Sequence, residues 1–486
     1  MLTRSYMDQE GNKSLLAYSP MIHARLFKET PKFRDSYFQP TKSSLTSTEK
    51  SSSPPFLDGN PKIDRPLIVQ FCANQPADLL EAARYVAPYC DAVDLNLGCP
   101  QGIARSGNYG AFLQEDWDTI HKLINKLHLE LPVPVTAKMR ILESKEKTLE
   151  YAKMIISAGA SILTVHGRRR EQKGHNMGVA DWAMIRYLRE NLPLDTVIFA
   201  NGNILNRNDI QPCLEATGAD GIMSAEGNLS DPTIFAKIPT DLNDREYWRG
   251  SNGGEGYRID GVLRRYLDII YRYVLEQEPP KRSPLYIASD PDPATSAAFA
   301  EIAEESSEPP AKRKKFDKKG PVSPSLKALQ GHLFQMFRPF VSIHTDIRDA
   351  LAKSRAGDIA AFENVLTMLE AAVKKALQEE AEGGNEVRED QEEEGAKEEC
   401  EDVKTSKRTI AKYKRPWFVC QPYIRPLPEE AIEKGALQIS KKEQAKIDRR
   451  VDDKALRRPD GELSNGASRI FRPPRTELPQ PALIFG

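Results

Sequence analysis

The chain has 486 residues, room for about two or three domains of ordinary size. Its 69 Lys+Arg against 70 Asp+Glu leave a net charge of −1, which speaks against a uniformly basic nucleic-acid binder. A hydrophobic content of 40% and a mean hydropathy of −0.54 place part of the length outside any packed core. No apolar run approaches the ~20 residues needed to cross a bilayer, and the opening MLTRSYMDQEGN has no signal-peptide core. The six cysteines are scattered with no C-x-x-C pair, so neither a zinc ribbon nor a disulfide framework is expected. These features predict a soluble intracellular protein that holds no metal and enters no membrane.

Strand-like runs recur along the first half: LLAYSPM (15–21), PLIVQFCA (66–73), AVDLNLGCP (92–100), PVTAKMR (134–140), ILTVHGR (162–168), VIFANGN (197–203) and GIMSAEG (221–227). Helix-like segments such as PADLLEAARYVAPYC lie between most of them. Continuous apolar strands alternating with helices predict a parallel sheet covered by helices. The α/β class with a (β/α)8 TIM barrel over 1–245 fits best, broken by a Ser/Thr/Pro-rich flexible insertion at 41–62. A barrel needs eight strands. Only seven are visible, and the first is expected upstream of residue 15.

Residues 246–378 read as a small all-α domain, with a disordered basic insertion at 284–324. Residues 379–486 read as an acidic spacer and a mostly disordered tail. Within that tail, 379–402 carries thirteen acids and two bases, 403–415 carries six bases and no acids, and RPWFVCQPYIRP is a short aromatic anchor.

In such barrels the C-terminal strand ends build the active site. Here those ends are polar: Gln70, then Asn96-Leu97-Gly98-Cys99-Pro100, then Lys138-Met139-Arg140, then His166-Gly167-Arg168, then Asn201-Gly202-Asn203, then Ala225-Glu226-Gly227. Any one of these could be a satisfied polar residue at a loop entrance. Six at successive strand ends are hard to explain as packing, and they would converge on one mouth. The small residues after the last two strands let backbone N–H groups approach a phosphate. Lys138 would place a cation beside a group that gains negative charge, such as a reduced flavin. Gln70 and His166 can donate to ring carbonyls or a phosphate. A lone cysteine is more often a small buried hydrophobe, and Cys72 and Cys90 are read that way. Cys99, between Gly98 and Pro100 on a strand-end loop, is read as presented.

DLNLGCPQ, VTAKMR, TVHGRRREQ followed by ADW, and ANGNI with ADGIMSAEG resemble the tRNA-dihydrouridine synthase family. SPMIHARLF, RPLIVQFCAN and NYGAFLQEDW resemble its eukaryotic branch, which acts at positions 16 and 17 of tRNA. PSLKALQGHLFQMFRPFVSIHTDIRDALAKSRAGD resembles the helical tRNA-binding domain of that branch. The resemblance implies FMN as cofactor, NADPH (or NADH) as reductant, tRNA as partner and a monomer. It makes Cys99 the catalytic general acid and assigns FMN contacts to Gln70, Lys138, His166, Asn201, Gly202, Asn203, Ala225, Glu226 and Gly227. It turns Asn96, Arg140 and Arg168 toward the substrate. A thiol with an ordinary pKa near 8.5 is largely protonated at neutral pH, which suits a proton donor. The target base must leave the stack to reach the barrel mouth. The family opens with a strand and then a helix, whereas this chain starts on what resembles the end of that helix. The expectation is therefore an open seam beside the flavin, from a start assigned too late or a true truncation.

Lys327, Arg338, His344 and Arg348 stand among apolar positions of the helical domain, giving one packed and one phosphate-facing side. AKRKKFDKK (311–319) reads as a nuclear signal or an extra RNA contact, placing the protein in the cytoplasm and/or nucleus. Taking the −11 of residues 379–402 out of the total of −1 leaves +10 on the rest, so near-neutrality hides a basic protein with one acidic spacer. Two rivals remain: a noncatalytic tRNA-binding protein lacking the first barrel strand, and a flavin or phosphate-binding barrel enzyme acting on a small molecule.

Overall fold

A computed structural model describes residues 1–43, 54–174, 177–250, 254–290, 323–382 and 415–425. The seven apolar runs become seven consecutive positions of one parallel sheet. The first position is shared by β1 (Ala17–Tyr18) and β2 (Ile22–His23), both paired with β3 (Leu67–Cys72). The break between them falls at Ser19-Pro20, where proline has no N–H to donate. Ser19 instead accepts from the Gln70 N–H at 3.0 Å. Beyond β3 come β4 (Ala92–Leu97), β5 (Val135–Arg140), β6 (Ile162–His166), β7 (Val197–Asn201) and β8 (Gly221–Met223), each parallel to the last. Every residue of β3 and β4 is buried, as expected of strands covered on both faces.

The intervening helices start where their sequences supply caps. Asp116, Ser144 and Asp181 each accept a backbone N–H in the first turn of Trp117–Glu130, Lys145–Ser157 and Trp182–Asn191. Each such cap contributes about 1 kcal/mol. The apolar faces of these helices meet the strands in one core that includes Val69, Leu95, Leu123, Ala137, Ile155 and Ile185.

Among the described residues no strand pairs β8 with β1, in keeping with the seven-strand reading. The first residues span that side instead. Thr3–Tyr6 and Gln9–Ser14 are short helical turns. Arg4 donates to the carbonyls of Pro66 at 2.6 Å, just before β3, and of Asn12 at 2.9 Å. Thr3 Oγ1 donates to Asn228 Oδ1 at 2.9 Å, just after β8.

A second core belongs to the helical domain. It gathers the helices Ile259–Ile269, Pro324–Met336, Thr345–Lys353 and Ile359–Glu382 around Leu333, Phe337, Phe340, Ile347, Phe362 and Leu369. Tyr6 joins this core: its ring lies 4.7 Å from Tyr257 and under the Arg265 guanidinium at 4.0 Å. The segment 415–425 is packed as well. Phe418, Val419 and Cys420 are buried, and Val419 forms an antiparallel bridge with Arg258. That bridge adds a third chain to the ribbon of β9 (Tyr247–Trp248) and β10 (Gly256–Tyr257), with Cys420 N–H on the Tyr257 carbonyl and Ile259 N–H on the Phe418 carbonyl, both at 2.8 Å.

Part of the expected insertion at 41–62 is fixed rather than free. Leu57 is buried, and the carbonyls of Gln39 and Pro40 accept from Phe56, Leu57 and Asp58. Most of the insertion at 284–324, the basic run 311–319 and nearly all of the acidic spacer lie outside the described residues.

Candidate active site

The strand ends from β3 to β7 carry the predicted polar residues into one mouth, where they are wired together. Asp94 is fully buried in β4, a lone acid in an apolar strand. Its two carboxylate oxygens accept from Thr136 Oγ1 at 2.6 Å and Gln70 Nε2 at 2.8 Å. Burial raises its pKa to about 6, while those two hydrogen bonds hold it down. Gln70 Oε1 in turn accepts from Asn96 Nδ2 at 2.8 Å. Asn96 Oδ1 accepts from the N–H groups of Gly98 at 3.0 Å and Cys99 at 2.9 Å. A chain of amides thus runs from a buried carboxylate to the backbone of the candidate acid. The order of donors fixes the orientation of each amide.

Cys99 is a free thiol at intermediate exposure, packed by Cys72, Ala104 and Tyr109. The Cys99 carbonyl accepts from Ala111 N–H at 3.1 Å. Gly110 has φ +63°, and a Cβ there would come within 2.9 Å of the Cys99 carbonyl oxygen and 3.0 Å of its Cβ. Glycine lets that loop close against the cysteine.

Lys138 stands opposite Asn96 in the β4–β5 register. It makes no hydrogen bond or ion pair among the described residues. Burial, and after it the neighbouring Arg140, bring its pKa down to about 8. His166 is held well below the ordinary imidazole pKa by burial, then by Lys138, Arg140, Arg168 and Arg425. Its Nε2 lies 3.2 Å from Arg168 Nη1. A guanidinium only donates, so Nε2 accepts and the neutral ring carries its proton on Nδ1.

Arg168, 2% exposed, donates from Nε to the Met177 and Gly178 carbonyls and from Nη2 to Gly178 and Asn203 Oδ1. Arg140 donates from Nε to the Gly98 carbonyl at 2.7 Å and from Nη1 to the Arg169 carbonyl at 2.9 Å. Both arginines, two of the three mouth residues expected to face the substrate, therefore set loop positions around the mouth. Asn201 Nδ2 ties β7 to the Met223 carbonyl at 2.9 Å. Gly202 and Asn203 follow with φ of +108° and +64°. A Cβ on Gly202 would meet Ala180 Cβ at 2.7 Å and His166 Cδ2 at 3.0 Å, so only glycine fits that turn. Ala225, Glu226 and Gly227 follow β8, and the Glu226 carboxylate pairs with Arg425.

On the helical domain, Lys327, Arg338 and Arg348 are exposed. His344 is not free: its ring stacks on Phe340 at 4.4 Å and meets Trp417 at 4.5 Å, and burial lowers its pKa. A cleft of about 670 Å³ beside the ends of β5 and β6, lined by Gln114, Ile141, Glu143, Arg169 and Glu171 among others, contains none of the candidate residues.

Sequence reasoning left out Asp94, Thr136 and Arg425. A single acid inside AVDLNL was a readable signal for the first. Thr136 has the strand alternation of any buried threonine, and nothing local marks Arg425.

The dihydrouridine synthase (Dus) family profile matches residues 2–254. A tRNA-dihydrouridine(16/17) synthase (NAD(P)(+)) of Schizosaccharomyces pombe is 42% identical over 421 residues, covering 86% of this chain and 84% of the relative. Its counterpart in Saccharomyces cerevisiae is 40% identical over 445 residues, covering 90% and 86%. A tRNA-dihydrouridine(16/17) synthase (NAD(P)(+))-like protein of Rattus norvegicus is 33% identical over 427 residues, covering 88% and 72%.

Proposed function

Because this chain belongs to the dihydrouridine synthase family, we propose that it is a tRNA-dihydrouridine(16/17) synthase, an oxidoreductase that reduces uridine in the D-loop of tRNA with NADPH or NADH. The observation that carries this reading is a juxtaposition. Asn96, which holds the Cys99 backbone, stands beside Lys138 across β4 and β5, so a proton donor and a buried cation share one mouth.

These residues fit a flavin mononucleotide. Lys138, without a hydrogen bond or ion pair among the described residues, suits an electron-rich ring. Neutral His166 offers Nδ1–H. The close turn at Gly202 and Asn203 admits a group near the backbone. From 225–227 the contribution is backbone only, because the Glu226 carboxylate would repel a phosphate. Bound FMN, once reduced by NADPH or NADH, would supply the hydride to C6 of the uridine. Cys99 would then give its proton to C5, from the face opposite the ring. Arg140 and Arg168 keep the surrounding loops in place, and Lys327, Arg338 and Arg348 meet the tRNA backbone.

The test is purification of the full chain. The expected product is yellow, binds tRNA, and forms dihydrouridine at positions 16 and 17 of a transcript with NADPH. A colourless protein that still binds tRNA would favour the noncatalytic rival.

A further inference from the structure

The family profile ends at residue 254, yet the mouth of the barrel is bordered by a residue far beyond it. Arg425 pairs with the Glu226 carboxylate at the end of β8. Its side chain is 13% exposed, and its Nη1 is buried without a hydrogen-bond partner among the described residues. The Tyr423 ring contacts both Arg425 and Arg338 of the helical domain, each guanidinium carbon 5.9 Å from the ring centroid. A track of cation, aromatic and cation therefore runs from the helical domain to the barrel mouth.

The charges there do not balance. Burial, followed by Arg168 and Arg140, depresses the Arg425 guanidinium to about 9. Arg168 spends its nitrogens on three acceptor groups and His166, and Arg140 gives Nε and Nη1 to carbonyls. Of these three guanidiniums, Arg425 alone keeps a buried donor without a partner among the described residues. The carboxylate paired with it, Glu226, is 41% exposed and can swing into water. Guanidiniums gathered this closely are relieved by a multivalent anion, and a phosphate matches the fork of an arginine.

We propose that residues 415–425 form a strap that completes the mouth of the barrel, and that Arg425 is a phosphate-binding residue there, held by Glu226 until a phosphate displaces the carboxylate. The strap is anchored well enough for the task. Trp417 stacks on Phe340 at 5.1 Å, Phe418 meets Trp248 at 5.7 Å, and the Val419–Arg258 bridge fixes its path. The phosphate belongs either to the flavin or to the RNA backbone, and the proposal rests on the flavin-and-tRNA reading above.

The experiment uses the full chain and the variants R425Q, R425K and E226Q. FMN and riboflavin are titrated into deflavinated protein by flavin fluorescence, and tRNA binding is measured across salt concentrations. If the flavin phosphate is the ligand, R425Q weakens FMN by about tenfold or more and leaves riboflavin unchanged. If an RNA phosphate is the ligand, R425Q weakens tRNA and lowers the salt slope by about one, with FMN unchanged. In either case R425K keeps part of the affinity, and E226Q binds as tightly as wild type or more tightly. The proposal is overturned if R425Q changes neither ligand, if it weakens FMN and riboflavin equally, or if E226Q loses as much as R425Q. A wild-type chain that binds neither FMN nor tRNA defeats the earlier reading. A wild type that binds both, indistinguishable from R425Q, defeats this one alone.

Discussion

Asn96 Oδ1 accepts the backbone N–H of Cys99 at 2.9 Å, so the position of the thiol is set by a side chain three residues upstream. The same Asn96 is held by Gln70, and Gln70 by Asp94. Removing that acceptor leaves the N–H groups of Gly98 and Cys99 unsatisfied, at about 1–3 kcal/mol. Asn96→Ala should lower kcat by roughly ten- to a hundredfold while FMN remains bound. Single-turnover dihydrouridine formation beside flavin absorbance checks this; an unchanged kcat would remove Asn96 from the positioning role.

Cys99→Ala should be the sharpest chemical lesion. Loss of a positioned general acid costs on the order of 10²–10⁴ in rate. The substitution removes only a half-buried sulfur, so the fold and the flavin should survive. Tritium release or mass spectrometry on tRNA, alongside the visible spectrum, separates the two.

Lys138 makes a pH prediction. Its folded pKa of about 8 lies below its ordinary 10.5, so the unfolded chain binds the proton more tightly between those values. Stability contributed by this group therefore rises as pH climbs through that window. Denaturant unfolding of the apoprotein from pH 7.5 to 10 should show wild type gaining about 2 kcal/mol relative to Lys138→Met. Parallel curves would refute the assignment.

Arg258 and Asp260 form a salt bridge at 2.6 Å with side chains 3% and 1% exposed. Asp260→Ala leaves a buried guanidinium without its partner and should cost about 3–5 kcal/mol. Because Arg258 also bridges Val419, the variant should release the 415–425 segment first. Faster proteolysis there, below the global melting temperature, is the expected sign.

Reversing the exposed charges Lys327, Arg338 and Arg348 to Glu should weaken tRNA binding without touching FMN affinity. The salt slope should fall by about one for each lost phosphate contact. Equal loss of flavin would mean that the helical domain had been disturbed instead.

Much of this molecule was legible along the chain. Strands such as 66–73 and 134–140 announce themselves through apolar runs ending in polar residues, and Cys99 is singled out by its Gly-Cys-Pro setting. LLAYSPM was readable as one strand, but Pro20 divides it, and the ladder resumes beyond the predicted end at Ile22. Asn96 and Arg140 illustrate a different limit. Their place at the mouth followed from the strand ends, whereas their hydrogen bonds to Gly98, Cys99 and Arg169 depend on how neighbouring loops fold back. Arg425 lay beyond local reasoning altogether, because its meeting with Glu226 is a property of tertiary packing.

Tyr6 carries a further implication. It precedes the barrel strands in the chain, whereas its partners Tyr257 and Arg265 follow about 250 residues later. During synthesis the strands of the barrel can be complete while the segment beside its seam still waits for a surface to dock on. Loop-closure cost grows only slowly with such distance, so the delay weighs on the schedule of folding more than on the stability of the result. A nascent chain paused after β8 would therefore display Tyr6 and its neighbours to chaperones and proteases, and maturation of the enzyme would be timed by its second domain.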